Sequence, residues 1–145
     1  MPSLRQFLLA KKYHRIKLNT TATNHFTLKA SINGIEGIFI LDTGASNSCV
    51  GNEEAEHFNL FSEDSDIRAA GAGSSNMLTR ISIDNSIEIG DWKKRKMQLV
   101  LFDLSHVNQA LLNHEAEVVH GIIGADILKK GKAVIDYNRK CLYLK

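Results

Sequence analysis

The chain is expected to fold as a mainly β domain, a small closed barrel of about six to eight strands with two or three short helices. Three features predict this. Apolar and polar residues alternate at the period of a strand, as in Phe26, Leu28, Ala30 and Ile32 against His25, Thr27, Lys29 and Ser31. Turn signals such as Asn33-Gly34, Gly90-Asp91 and Asn138-Arg139 recur at short intervals. Helical spacing is confined to brief runs. With 145 residues and 43% apolar side chains, one domain over residues 1–145 can hold a real core.

Ser3-Leu4-Arg5-Gln6 has the pattern of a capping box, and Leu4, Phe7 and Leu8 share a helical face, so a short amphipathic helix should open the chain. Ile16 and Leu18 alternate with charged residues in a strand, and residues 1–24 form a helix-and-strand extension. Residues 26–32 and 36–41 make a hairpin about Asn33-Gly34, whose second arm ends at Asp42. Residues 53–60 read as a short helix and 62–66 as an acidic loop. Residues 67–83 carry Ala69-Ala70-Gly71-Ala72-Gly73-Ser74-Ser75 between strand-like ends, the composition of a mobile hairpin. Ile87 and Ile89 alternate up to Gly90-Asp91, and 97–102 is a buried strand. Residues 105–113 have helical spacing with Val107, Ala110 and Leu111 inward and Leu112 at the margin. A strand over 118–123 and a short helix over 125–130, stopped by Gly131, follow. Residues 133–137 and 141–144 close the chain as a hairpin.

The net charge of +2 gives no argument for nucleic acid, and no apolar run approaches bilayer length. Phe7-Leu8-Leu9-Ala10 is followed at once by Lys11 and Lys12, which does not read as a signal peptide. A cytoplasmic protein without membrane or nucleic-acid partners is expected. Two cysteines, Cys49 and Cys141, are too few for a disulfide scaffold; a bond between them and two interior thiols both fit, the thiols being favoured in the cytosol. None of the six histidines has metal-site spacing with a third ligand, so neither metal nor cofactor is expected. His120, beside an apolar strand, reads as a satisfied core or rim residue. Lys93-Lys94-Arg95-Lys96 beside Trp92 fits a solvated hairpin arm better than a contact with nucleic acid or an acidic partner. Cys49 has no histidine partner visible in sequence and does not read as a nucleophile.

The decisive segment is Asp42-Thr43-Gly44-Ala45-Ser46, directly after Ile38-Phe39-Ile40-Leu41. An apolar strand that stops at an acid, a hydroxyl and a glycine delivers one immobilised carboxylate to a tight turn. Gly44 lets the chain turn and Thr43 offers a hydroxyl to stiffen it. Alone, the tripeptide fits a plain strand-ending turn with an Asx cap equally well.

A second cluster changes that balance. In Val118-Val119-His120-Gly121-Ile122-Ile123-Gly124-Ala125-Asp126-Ile127-Leu128 an apolar strand ends in Ile-Ile-Gly and runs straight into a helix-like stretch. The order of Asp-Thr-Gly strand, β-rich middle, apolar-apolar-Gly and short helix resembles the retropepsin-like aspartic proteases, single-domain bacterial-type enzymes related in fold to retroviral proteases. The resemblance spans about residues 26–145. It implies an aspartic endopeptidase that needs no cofactor and hydrolyses extended polypeptides. Such chemistry needs two carboxyl groups that share a proton, one as base toward water and one as acid toward the substrate. The chain holds one Asp-Thr-Gly, so two chains must meet about a two-fold axis, each giving Asp42. The resemblance makes Thr43 and Gly44 supports of the dyad, and Ala45 and Ser46 residues of the cleft. It makes residues 67–83 a flap with Gly71, Ala72 and Gly73 at the tip over the substrate; an ordinary surface hairpin is the other reading.

Some residues depart from the retroviral pattern. Ser46 stands where an acid is frequent and Ala125 where an arginine is frequent, so the ion pair between those positions is missing. Asp126 falls in the first turn of a helix, where the helix dipole gives it a structural role. The final hairpin, running on to Lys145, argues against carrying over the retroviral terminal-strand interface. The competing readings are a catalytically silent peptide-binding or dimerisation module on the same fold, and a nucleic-acid-associated protein using residues 93–96.

Overall fold

Strand-period alternation builds the wall of the molecule. In the computed structural model, which describes residues 1–71 and 74–145, the chain begins with α1 (Leu4–Ala10), β1 (His14–Lys17), β2 (Asn19–Thr20), β3 (Phe26–Ile32) and β4 (Ile35–Leu41). Then come β5 (Cys49–Gly51), a 3₁₀ turn (Asn52–Glu54), β6 (Glu63–Gly71), β7 (Ser74–Ile89) and β8 (Trp92–Phe102). The last third holds α2 (Ser105–Asn113), β9 (Gly121–Ile123), α3 (Ala125–Lys130), β10 (Val134–Asp136) and β11 (Cys141–Leu144).

The main sheet runs β2-β3-β4-β9-β5-β8-β7-β6, and β3 pairs again with β7 through Ser31–Glu88 and Ile32–Ile87. That pairing closes a six-stranded barrel from β3 to β7, with β2 and β6 attached outside it. A second sheet has the order β1-β11-β10. The expected mainly β barrel with short helices is therefore present. The β3–β4 turn is built as Asn-Gly turns are, with Asn33 at φ 53° and Gly34 at φ 83°. Leu28, Ile32, Phe39, Phe58, Ile87 and Leu101 fill the barrel, all of them fully buried. Phe58 packs over Gly37, where a Cβ would come within 2.7 Å of its ring.

The capping box forms: the Ser3 hydroxyl accepts from Gln6 N–H at 3.1 Å, and the Gln6 side chain accepts from Ser3 N–H at 2.8 Å. Of the expected helical face only Leu8 is buried, against Cys141 and Tyr143, while Leu4 and Phe7 stay partly exposed. Both cysteines are free and buried. Trp92 is buried beneath the run 93–96, whose four side chains are exposed, with Lys93 in a 3.7 Å surface ion pair to Glu88. No helix among the described residues is long and apolar enough to cross a membrane.

Four expectations need correction. Residues 53–60 make the 3₁₀ turn and isolated turns instead of a helix, because Phe58 and Leu60 both point inward and Asn59 takes a left-handed φ of 54°. Two inward positions separated by one residue do not fit helical spacing. Residues 63–66 are strand rather than loop, since β6 pairs Glu63 and Asp64 with Ile81 and Arg80. The strand expected over 118–123 covers only 121–123; Val118 is exposed and Val119 N–H is held by the Asn108 side chain of α2. On α2 itself only Leu111 is buried, and Leu112 faces outward.

The hairpin anticipated at 67–83 is the β6–β7 pair, with Arg68 opposite Leu78, Ala69 opposite Met77 and Gly71 opposite Ser74. Ala72 and Gly73 lie outside the described residues. β7 continues past a register shift at Asn85, whose buried side chain donates to Ser82 at 3.0 Å, so one strand serves both hairpin and barrel.

Candidate active site

β4 and β9 run parallel, with Leu41 beside Ile123, so the strand that carries Asp42 lies against the strand that ends in Ile-Ile-Gly. Asp42 N–H donates to the Ile123 carbonyl at 3.0 Å, which ties the first residue of the turn to that neighbour. Gly44 N–H donates to Asp42 Oδ1 at 2.9 Å, and Ala45 N–H to the Asp42 carbonyl at 3.2 Å. The segment is thus an Asx turn, with its carboxylate exposed and held through Oδ1. Oδ2 has no partner among the described residues.

Thr43 acts differently from the sequence reading, whereas Gly44 keeps the turn clear of a side chain. Gly44 does not adopt a left-handed backbone; a side chain there would crowd Asp42 Oδ1, 3.2 Å from the Cβ position. The Thr43 hydroxyl makes no hydrogen bond among the described residues of its own chain, so backbone donors stiffen the turn and the hydroxyl is left pointing to other uses.

The loop after Asp42 is fastened to α3. Ser48, fully buried, donates its N–H to both Asp126 oxygens at 2.9 and 3.0 Å and its hydroxyl to Oδ1 at 2.7 Å. Ser48 Oγ also accepts from Gly124 N–H at 2.8 Å, and the Ala45 carbonyl accepts from Ala125 N–H at 2.7 Å. Asp126 has the expected structural role, but the cause is this clamp more than a dipole; α3 is only six residues long. Gly124 and Gly121 allow the approach. A Cβ on Gly124 would meet the Ala45 carbonyl at 2.6 Å, and one on Gly121 would run into the Cys49 carbonyl and the Phe39 ring. Burial pushes the Cys49 thiol far up from its ordinary range, so it is protonated and inert.

Asp42 lies at the junction of two cavities. One, of about 440 Å³, is walled by Ile40, Ile122 and the α2 residues Val107, Ala110 and Leu111, with His25 and His106 also lining it. The other, of about 420 Å³, is bounded by Phe26, Leu41, Thr43, Ile135, Tyr137 and Lys140. His25 belongs to both. Ala45 and Ser46 sit on the adjoining loop and line neither cavity; Ala45 is half-buried and Ser46 exposed.

The fold also gathers a group that spacing did not reveal. Glu54, His57 and His120 place one ligand atom each within 4.8 Å of one another. Glu54 and His57 have suitable spacing, but their third member is remote in sequence. His120 Nδ1 accepts the Ile38 N–H at 3.0 Å, which leaves the neutral ring's proton on Nε2 and no lone pair for an ion while that bond stands. In return His120 N–H donates to the Ile38 carbonyl at 2.8 Å. The imidazole replaces a ladder carbonyl between β4 and β9, which agrees with the expected satisfied rim histidine.

Residues 28–127 match the family model described as aspartyl protease. No curated protein matches the sequence. Among solved structures, a retropepsin-like aspartic protease from Rickettsia conorii is similar with a TM-score of 0.58 at 19% identity, covering 91% of this chain and 90% of that one. The retroviral protease-like domain of Ddi1 from Leishmania major gives 0.58 at 17% identity, covering 88% and 90%. EIAV protease complexed with the inhibitor HBY-793 gives 0.54 at 19% identity, covering 76% and 90%. The matched model includes both the Asp-Thr-Gly turn and the Ile-Ile-Gly strand that holds it, and the chain belongs to the aspartyl protease family.

Proposed function

We propose that the chain is an aspartic endopeptidase active as a homodimer, each subunit giving Asp42 to one shared dyad. The observation that carries this reading is the single Asp42 carboxylate, fixed through Oδ1 by Gly44 and free at Oδ2, at the junction of two cavities. One carboxyl cannot be both acid and base in the same step. Two facing carboxyls hold one proton between them, since like charges at close range do not both ionise. The ionised member takes a proton from water, the resulting hydroxide adds to the peptide carbonyl carbon, and the protonated member supplies a proton to the substrate. The proton taken from water then passes to the nitrogen, the tetrahedral intermediate collapses with return of a hydroxyl proton to the dyad, and the C–N bond breaks to release the amine and the carboxylic acid.

The free Thr43 hydroxyl suits a brace to the partner's turn. The β6–β7 hairpin acts as the flap over an extended polypeptide, with Ala45 and Ser46 bordering it.

The test joins solution mass with digestion of a denatured protein mixture from acidic to neutral pH. The wild type is expected to run as a dimer and cleave, and Asp42→Asn to remain a dimer and not cleave. Cleavage by Asp42→Asn overturns the reading. A dimer that binds peptides but never cleaves favours the silent module.

A further inference from the structure

The cavities flanking Asp42 carry an uneven set of charges. Among their lining residues Asp42 is the one acid, whereas His25, His106 and Lys140 are bases. All three bases are exposed. Lys140 has no ion-pair partner among the described residues. His25 Nδ1 is 2.8 Å from the Thr23 hydroxyl, which is 2.7 Å from the Thr21 hydroxyl. Those two hydroxyls can turn either way, so the Nδ1 contact suits the ring as donor or acceptor. Nε2 of His25 has no partner. His106 is partly answered by Asp103, which stands near it just before α2 and is kept ionised by Ser105, whose N–H donates to it at 2.8 Å. The two uncompensated bases are therefore His25, shared by both cavities, and Lys140.

We propose that this cleft selects acidic peptides: substrates whose residues on either side of the scissile bond carry carboxylates, received by His25 and Lys140. The proposal rests on the endopeptidase reading and adds to it a class of substrate. In a dyad that shares one proton, two carboxyls carry a single negative charge. Two copies of the cleft set two lysines and two imidazoles without an acidic neighbour around that charge. A polypeptide with flanking carboxylates meets complementary potential, and one with flanking lysines meets like charge. The Ile40, Ile122 and Val107 wall of the first cavity does not supply this discrimination, since those side chains carry no charge.

The test uses two fluorogenic peptides built on a sequence the protein is found to cleave, identical except for Glu or Gln at the residues on either side of the scissile bond. The Glu peptide is expected to have a kcat/KM about 3- to 10-fold higher at low salt, as fits a few exposed charge contacts. The gap should shrink to under about 2-fold at roughly 0.5 M salt, where screening reaches across only a few ångströms. The double variant His25→Gln/Lys140→Gln should bring the ratio close to one. Both side chains are exposed, so the fold should survive. Equal or better cleavage of the Gln peptide at low salt overturns the proposal and leaves the endopeptidase reading standing. If the protein is found to cleave no sequence, that reading fails, and fluorescence anisotropy of a Glu and Gln pair of extended peptides on the wild-type protein still decides: tighter, salt-sensitive binding of the Glu peptide supports acidic selection, and equal binding overturns it.

Discussion

Ser48 and Asp126, 78 residues apart in sequence, are joined by the Ser48 N–H and hydroxyl, both donated to one carboxylate. This contact pins the loop after Asp42 to the first turn of α3. The serine that makes it is fully buried.

Asp126→Ala should therefore destabilise the protein by about 3 kcal/mol, because two buried donors of Ser48 lose a charged acceptor. For a chain of this size that is a fall in Tm of roughly 10 °C. Asp126→Asn keeps one acceptor and should cost about half as much. Thermal denaturation checks both, and an unchanged Tm in the alanine variant would contradict the clamp.

His120→Ala removes the acceptor of the Ile38 N–H inside the β4–β9 ladder. The expected loss is about 1–3 kcal/mol. Hydrogen exchange at the Ile38 amide should quicken in the variant while amides of β1 and β11 do not change. Equal protection in both proteins would show that the imidazole is not the acceptor.

Gly121→Ala places a methyl group against the Cys49 carbonyl and the Phe39 ring. The carbonyl belongs to the paired strand β5 and cannot step aside cheaply, so a cost of about 3 kcal/mol or more is expected. Denaturant unfolding measures it, and a loss below about 1 kcal/mol would mean that β5 and β9 separate easily.

Asp103 supplies a pH dependence. The Ser105 N–H and hydroxyl, and more weakly His106, hold its carboxyl below the usual range. A depressed folded pKa means that its stabilising contribution is complete above the ordinary value, about 3.9, and is lost as pH falls through the lower folded value. Side-chain NMR should show Asp103 titrating below an ordinary aspartate, and Asp103→Asn should remove that acid-range change at the start of α2. A normal titration would refute the bond to Ser105.

Much of the barrel was legible because its signals are local. The Asn33-Gly34 turn, the alternation in β3, the capping box at Ser3 and the stop at Gly131 each depend on neighbours in sequence. The Asp42 turn was legible for the same reason. Residues 58 and 60 were misread because their inward positions are set by the barrel, not by helical spacing, and 63–66 because an acidic run can still pair as an edge strand. Ser48 gave no signal at all. Its partner is remote, and a serine six residues beyond an aspartate satisfies no turn or period rule. His120 was legible as a satisfied core or rim residue, but not its partners, because Ile38 and His57 lie far from it in sequence. Val107 and Ala110 were placed inward on a helix face; Val107 is half-buried against the core, Ala110 is exposed, and both line the cavity beside Asp42.

The most direct test is subunit mixing. Wild-type protein and Asp42→Asn are unfolded together in equal amounts, refolded, and assayed for peptide cleavage per wild-type chain. If each site takes one Asp42 from each copy, random pairing spends about half of the wild-type chains in dead mixed dimers, and the activity per wild-type chain falls to about half. Activity that stays proportional to the wild-type chains alone would mean that each subunit works by itself, and the shared site would be refuted.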